Sequence, residues 1–332
     1  MTTVSRRDAL LASATLPAAT ALGGLAMTGI AATSATAQTP SGQQVPSLYR
    51  YKVGDIEVTA VSDGARVGPL QDGFVRNASR DQINTALEQA FLPKDQLMNQ
   101  FNPLLINTGG KLVLIDTGNG PQAGNATVGK LMANLAWAGV KPSDISTVII
   151  SHFHGDHING LRAADGALAF PNAEILVPEV EWKFWTDEGE ASRAPEGRKG
   201  AFANVAKVFK DVDSRVKPYG WDKEIAPGIT SVEAVGHTPG HTAFVVASGN
   251  GKLFVQSDTT NNPALFAANP EWEVMFDMDA AKAIATRKRI WDMLAAERMQ
   301  VTGYHFMFPA VGYAEKTGNG YRLVPAVWNP VL

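Results

Sequence analysis

Residues 151–160 read SHFHGDHING, and they place His152, His154, Asp156 and His157 within six positions of one another. A metal site needs neutral imidazoles and ionised carboxylates converging on one point. Residues i and i+2 of an extended segment project to the same side, so His152 and His154 can grip one ion together. Gly155 lets the backbone turn, after which Asp156 and His157 can address a second ion nearby. A polar surface loop that merely happens to be rich in histidine is the competing reading. It fares poorly, because the chain has six histidines and three of them lie here.

Working outward, the other candidate ligands share one setting. The run 144–151 (DISTVIIS) is β-branched and continuous, the mark of a strand buried on both faces, and it ends at His152. Asp116 ends the apolar run of KLVLIDTG, His237 follows a strand over 229–235, and His305 follows a short strand over 300–304. Asp258 closes a hairpin predicted from 242–247, the turn 249–251 and 252–256. That hairpin carries the chain out and back, so Asp258 can face His237. Five strand ends are thus expected on one rim.

The remaining pattern alternates strands with helices, which argues for helices packed outside β-sheets. Strands are predicted within 49–61 and 173–178, and a hairpin joins 103–107 to 111–116. Helices are predicted over 81–90, 125–139 and 279–296, with another starting in 158–164. Residues 64–77 read as loop. Residues 179–212 are charged, aromatic and irregular, and are expected to form an insertion or lid. Trp182, Trp185, Phe202, Phe91, Phe74 and Phe101 are candidates to line an apolar substrate pocket, with ordinary core packing as the rival reading for each.

Composition narrows the function. The chain has 332 residues and a formal net charge of −3, with no basic field to attract nucleic acid or highly charged substrates. It has no cysteine, so any metal must be held by His, Asp or Glu. Arg6-Arg7 precede an apolar run, and no charged side chain occurs from Ala9 to Tyr49. Residues 1–37 are therefore expected to be a twin-arginine export signal, cleaved after Ala37, with 38–48 as a linker and 49–332 as one catalytic domain. The location implied is periplasmic or secreted, by way of the twin-arginine export machinery. The weakly hydrophobic signal is not expected to leave the mature protein inserted in a membrane.

IDTG at Asp116, HFHGDH at 152–157, GHTPGH at 236–241, SD at Asp258 and YHF at His305 together resemble the metallo-β-lactamase superfamily, in order, over roughly 49–327. The resemblance implies an α/β fold, a four-layer αββα sandwich with a two-metal site at the sheet edge. It implies that His152, His154 and His237 hold one ion, that Asp156, His157 and His305 hold the other, and that Asp258 bridges both. Asp116 would orient the histidine loop from behind, and His241 would be a structural or hydrogen-bonding group. Ligands without sulfur suit Zn²⁺, with Mn²⁺, Co²⁺ and Fe²⁺ as alternatives. His154 stands where relatives with iron redox chemistry often carry Glu, which favours hydrolysis.

Within the superfamily, the YHFMFPAVGY segment (304–313) and the motif spacings resemble methyl parathion hydrolases and related lactonases. The activity so implied is attack by a metal-bridging hydroxide on small neutral esters, lactones or organophosphate triesters. Asp156 and Asp258 are the candidates to assist proton transfer. A β-lactamase, an enzyme devoted to acyl-homoserine lactones, and a non-catalytic metal-binding protein are the alternatives. A bridging Asp258 speaks against the first of these. A homodimer is compatible with the resemblance.

Overall fold

The computed structural model describes residues 44–121 and 127–332. The expected signal 1–37, the linker up to residue 43 and the first residues of the helix expected at 125–139 lie outside the described residues. Residues Gln44–Leu332 form one compact unit.

Two seven-stranded sheets make its centre. The first contains β1 (Leu48–Val53), β2 (Ile56–Val61), β5 (Leu104–Thr108), β6 (Lys111–Ile115), β7 (Ile145–Ile149), β8 (Glu174–Pro178) and β9 (Val216–Tyr219), in that spatial order. Neighbours are antiparallel from β1 to β6 and parallel from β6 to β9. The second runs β10 (Glu224–Ala226), β11 (Ile229–Glu233), β12 (Thr242–Ser248), β13 (Gly251–Val255), β14 (Gln300–Thr302), β15 (Val311–Thr317) and β16 (Gly320–Pro325). Only β13 and β14 pair parallel there, joined by α7 (Ala280–Glu297).

Period-2 alternation sorts the side chains into layers. On β6, Val113 and Ile115 face the second sheet and pack with Phe244, Val246, Leu253 and Val255, whereas Leu114 faces the other way. Leu114, Val148, Ile175 and Val177 then meet α2 (Leu131–Trp137) and α6 (Glu196–Val208) through Leu131, Leu135, Phe202 and Val205. On the far side Phe254 and Val301 pack under Ile290, Trp291 and Leu294 of α7. The result is the expected αββα sandwich.

Four expectations are corrected. Residues 64–77 are not all loop: β3 (Gly64–Pro69) pairs with β4 (Gln96–Phe101) in a separate ribbon, with α1 (Arg80–Gln89) in the connection. Gly68, Pro69 and a largely exposed face hid that strand. The helix expected at 125–139 is confined to α2, because Gly129 takes φ +74° and Val128 forms a bridge with Gly64. The helix expected in 158–164 begins earlier, as the four-residue α3 (Gly155–Ile158) followed by a 3₁₀ turn, Asn159–Leu161.

Residues 179–212 are helical, comprising α4 (Glu179–Trp185), α5 (Glu188–Arg193) and α6. Asp187 caps α5 by accepting from the Glu190 amide, and Pro195 sets the start of α6. Together these helices cover the outer face of the first sheet rather than forming an irregular lid.

Candidate metal centre

The rim expected at the strand ends is present. β6 delivers Asp116, β7 leads to His152, β11 to His237, β13 to Asp258 and β14 to His305. Ligand atoms fall into three overlapping groups, each within 4.8 Å of one another: His152, His154 and His237; Asp156, His157 and His305; and His152, His157 and Asp258. His154 Nδ1 lies 3.0 Å from His152 Nε2 and 2.9 Å from His237 Nε2. Asp258 sits between the outer groups. Its Oδ2 lies 3.4 Å from His237 Nε2 and 3.0 Å from His305 Nε2, and its Oδ1 lies 3.4 Å from His157 Nε2.

Three of the imidazoles, those of His157, His237 and His305, are aimed by a bond on the ring's other side. Asp116 Oδ2 accepts a hydrogen bond from His157 Nδ1 at 2.8 Å, while its two oxygens accept from the Ser151 amide and hydroxyl at 2.8 Å each. Asp116 therefore stands behind the loop. His237 Nδ1 meets Asp277 Oδ1 at 2.8 Å, and His305 Nδ1 meets the Gln100 carbonyl at 2.8 Å. Fixing one ring nitrogen this way leaves the other bare for a cation. His241 is different: its Nδ1 donates to the Ala234 carbonyl at 2.7 Å and its Nε2 accepts from the Asp258 amide at 3.0 Å. Both nitrogens are engaged, so His241 sets the Asp258 backbone and offers no ligand atom.

The electrostatics fit a cation. Burial, reinforced by neighbouring rings, holds His152 and His154 well below the usual histidine value, so both imidazoles are neutral and have a lone pair to offer. Burial also acts to lower His157 and His305. The carboxylates of Asp258, Asp116 and Asp156 around His157 outweigh it, as do Asp258 and Asp156 around His305, and both rings are pushed up. Burial would raise Asp258, yet His305 and His157 hold it well below the carboxylate range. The second group thus concentrates negative charge that a proton or a metal must balance. His157 Nε2 and Asp258 Oδ1 are buried with no hydrogen-bond partner, which suits coordination. The donor set of imidazole and carboxylate without sulfur matches a borderline divalent ion.

A family model described as metallo-beta-lactamase superfamily matches residues 100–298. The chain belongs to this superfamily. Among curated proteins, this metallo-β-lactamase-fold chain is similar to an N-acyl homoserine lactonase of Bacillus cereus, 25% identical over 51% of this chain and 59% of that protein. The match thus spans less than two thirds of that relative's length. Among solved structures it is similar to AidC, described as a dizinc quorum-quenching lactonase in complex with a product (TM-score 0.81, 26% identity, covering 86% of this chain and 100% of that one). It is also similar to the hydrolase AbOPH of the beta lactamase superfamily (TM-score 0.80, 25% identity, 86% and 100% coverage).

The aromatic pocket expected from the sequence is largely overturned. Trp185 and Phe202 are 3% and 6% exposed and belong to the core under the helices. Phe74 is buried in a separate core with Leu265 and Phe266. Phe91 is 97% exposed, at φ +58° after α1, and lines nothing. Trp182 packs on Phe153 and Phe209 with ring centroids at 6.3 and 5.4 Å. Phe101 alone reaches a candidate ligand, edge-on to His305 at 5.5 Å.

Three residues that hold the site were missed. Asp277 is fixed to His237 and, at 3.3 Å, to the buried guanidinium of Arg287. Tyr304 lays its ring against His157 with centroids 3.9 Å apart and donates to the Asp156 carbonyl at 2.5 Å. Glu181 is fully buried beneath the loops. A signal did exist for Arg287: it falls on the apolar stripe of α7 with Ala283, Ile290 and Leu294, where a charge needs a reason.

Proposed function

We propose that this chain is a binuclear metal-dependent hydrolase that opens lactones and cleaves related small neutral esters. The observation that carries the reading is Asp258, one carboxylate within 3.4 Å of ligand atoms from both outer groups. His152, His154 and His237 would hold one ion, Asp156, His157 and His305 the other, and Asp258 would be shared. Two divalent ions, zinc by donor type and by likeness to a dizinc lactonase, would supply Lewis acidity and lower the pKa of a water molecule there.

The chain itself does the positioning. Asp116, Asp277 and the Gln100 carbonyl lock three rings in the tautomer that leaves Nε2 free. Asp156 is the more open of the two candidate proton carriers, with its side chain 24% exposed against 3% for Asp258. Its Oδ2 faces His157 Nε2 at 3.7 Å and His305 Nε2 at 3.5 Å, so that oxygen is the one placed for the ion. No Ser or Cys nucleophile is required.

The test is a substrate panel with metal analysis on one preparation: acyl-homoserine lactones, an aryl acetate, paraoxon and nitrocefin. Lactone turnover above the rest is the expected result, and dominant nitrocefin turnover would replace the reading with a β-lactamase. Organophosphate triester hydrolysis is included because the 304–313 segment resembles methyl parathion hydrolases. Asp258→Ala should lower metal content and activity together. A fully active Asp258→Ala enzyme with two bound ions would remove the bridge. We propose as well that the protein is exported, on the strength of Arg6-Arg7 and the uncharged stretch that follows; the mass of the mature N-terminus from a periplasmic fraction tests this.

A further inference from the structure

Glu181 has no role in the reading above, yet it is a fully buried carboxylate with three donors. Its Oε2 accepts from the Phe153 amide at 3.0 Å and from Trp185 Nε1 at 2.8 Å. Its Oε1 accepts from the Gly240 amide at 2.6 Å. Phe153 lies between His152 and His154, while Gly240 follows His237 in the other loop. One carboxylate therefore reaches both loops that supply the first ligand group.

We propose that Glu181 is a positioning residue for one half of the metal centre, tying loop 152–154 to loop 237–240 and so setting the spacing of His152, His154 and His237. This rests on the binuclear reading and goes beyond it by making the two ions unequal in what holds them. Among the described residues, no hydrogen bond joins Glu181 to the other half. There Asp116 aims His157, and the Gln100 carbonyl aims His305.

A buried carboxylate accepting several N–H bonds resists displacement, since losing it strands backbone donors away from water. The fit against α4 is tight as well. A Cβ on Gly240 would come within 2.5 Å of the Glu181 amide nitrogen. In Glu181→Gln one oxygen becomes an NH₂ that faces donors instead of accepting from them, so one loop must come free.

The experiment strips wild type, Glu181→Gln and Val205→Ala of metal and titrates each with Zn²⁺ by calorimetry and with Co²⁺ by visible absorption. Folding is checked by circular dichroism and melting. Val205→Ala loosens the same core without touching the carboxylate. Wild type should take up two ions. Glu181→Gln should keep one with unchanged affinity and bind the other about 10–100-fold more weakly, with a changed Co²⁺ spectrum for that ion alone. Val205→Ala should melt earlier yet bind both ions as wild type does.

Two ions bound by Glu181→Gln at wild-type affinity, or equal weakening in Val205→Ala, overturns the strut and leaves the binuclear reading standing. Fewer than two ions in wild type overturns the binuclear reading and the strut with it. If Glu181→Gln does not fold, Gly240→Ala, which pushes the same loop off α4, must reproduce the selective loss; unchanged binding there overturns the proposal.

Discussion

His237 is held by a relay of buried groups, since its Nδ1 meets Asp277 and Asp277 meets Arg287. Arg287 in turn donates to the carbonyls of Thr259, Pro270 and Trp272. Asp277→Asn keeps the shape but not the charge, and should weaken metal binding about 10–100-fold, read by competition with a chelating dye. Asp277→Ala also strands a buried guanidinium, and a further loss of about 3–5 kcal/mol is expected in urea unfolding.

His241 gives a pH signature. Burial, with the neighbouring His237 ring adding to it, lowers it from 6.5 to about 3. Between those values the unfolded chain binds a proton that the folded chain refuses. The contribution is therefore complete above pH 6.5 and is lost as pH falls toward 3. Melting of the metal-free protein across that range should show a shallower acid slope in His241→Asn, and equal slopes would refute the buried neutral ring.

At the level of elements, the helices over the first sheet and the β3–β4 ribbon were the least legible parts. Residues 179–212 carry many charges, yet Glu179–Lys183, Glu190–Arg193 and Glu196–Lys199 are surface pairs of ordinary helices. Their aromatics point the other way, into the core. Phe202→Ala should cost about 3–5 kcal/mol of stability with KM unchanged. A raised KM with full stability would return Phe202 to the substrate pocket. Strands β5, β6 and β7 were legible because continuous apolar runs have few other stable places to go.

Over the whole molecule, two sheets present their strand ends to one rim, and the cation should act as a clamp across them. Asp116 and His157 come from the first sheet's side, while His237, Asp258 and His305 come from the second's. Ions bound at a thousandfold excess over Kd contribute about 4 kcal/mol per site. Dialysis against chelator should therefore lower the melting temperature, and added Zn²⁺ should restore it. A melting curve indifferent to chelation would argue against ions held across both sheets.

The sequence by itself carried the rim, because strand ends and the rarity of histidine are local properties, while the sandwich and the seven candidate ligands followed from the resemblance of its motifs to a known superfamily. Asp116 was legible for the same reason, lying at the end of an apolar run. Only the tertiary structure decided which groups aim those ligands. Asp277 lies 40 residues from His237, and Glu181 lies 28 from Phe153 and 59 from Gly240. Acidic side chains so far away in sequence carry no local mark of partnership. What selects them is burial, since a carboxylate taken out of water must find donors, and the fold alone brings those donors within reach.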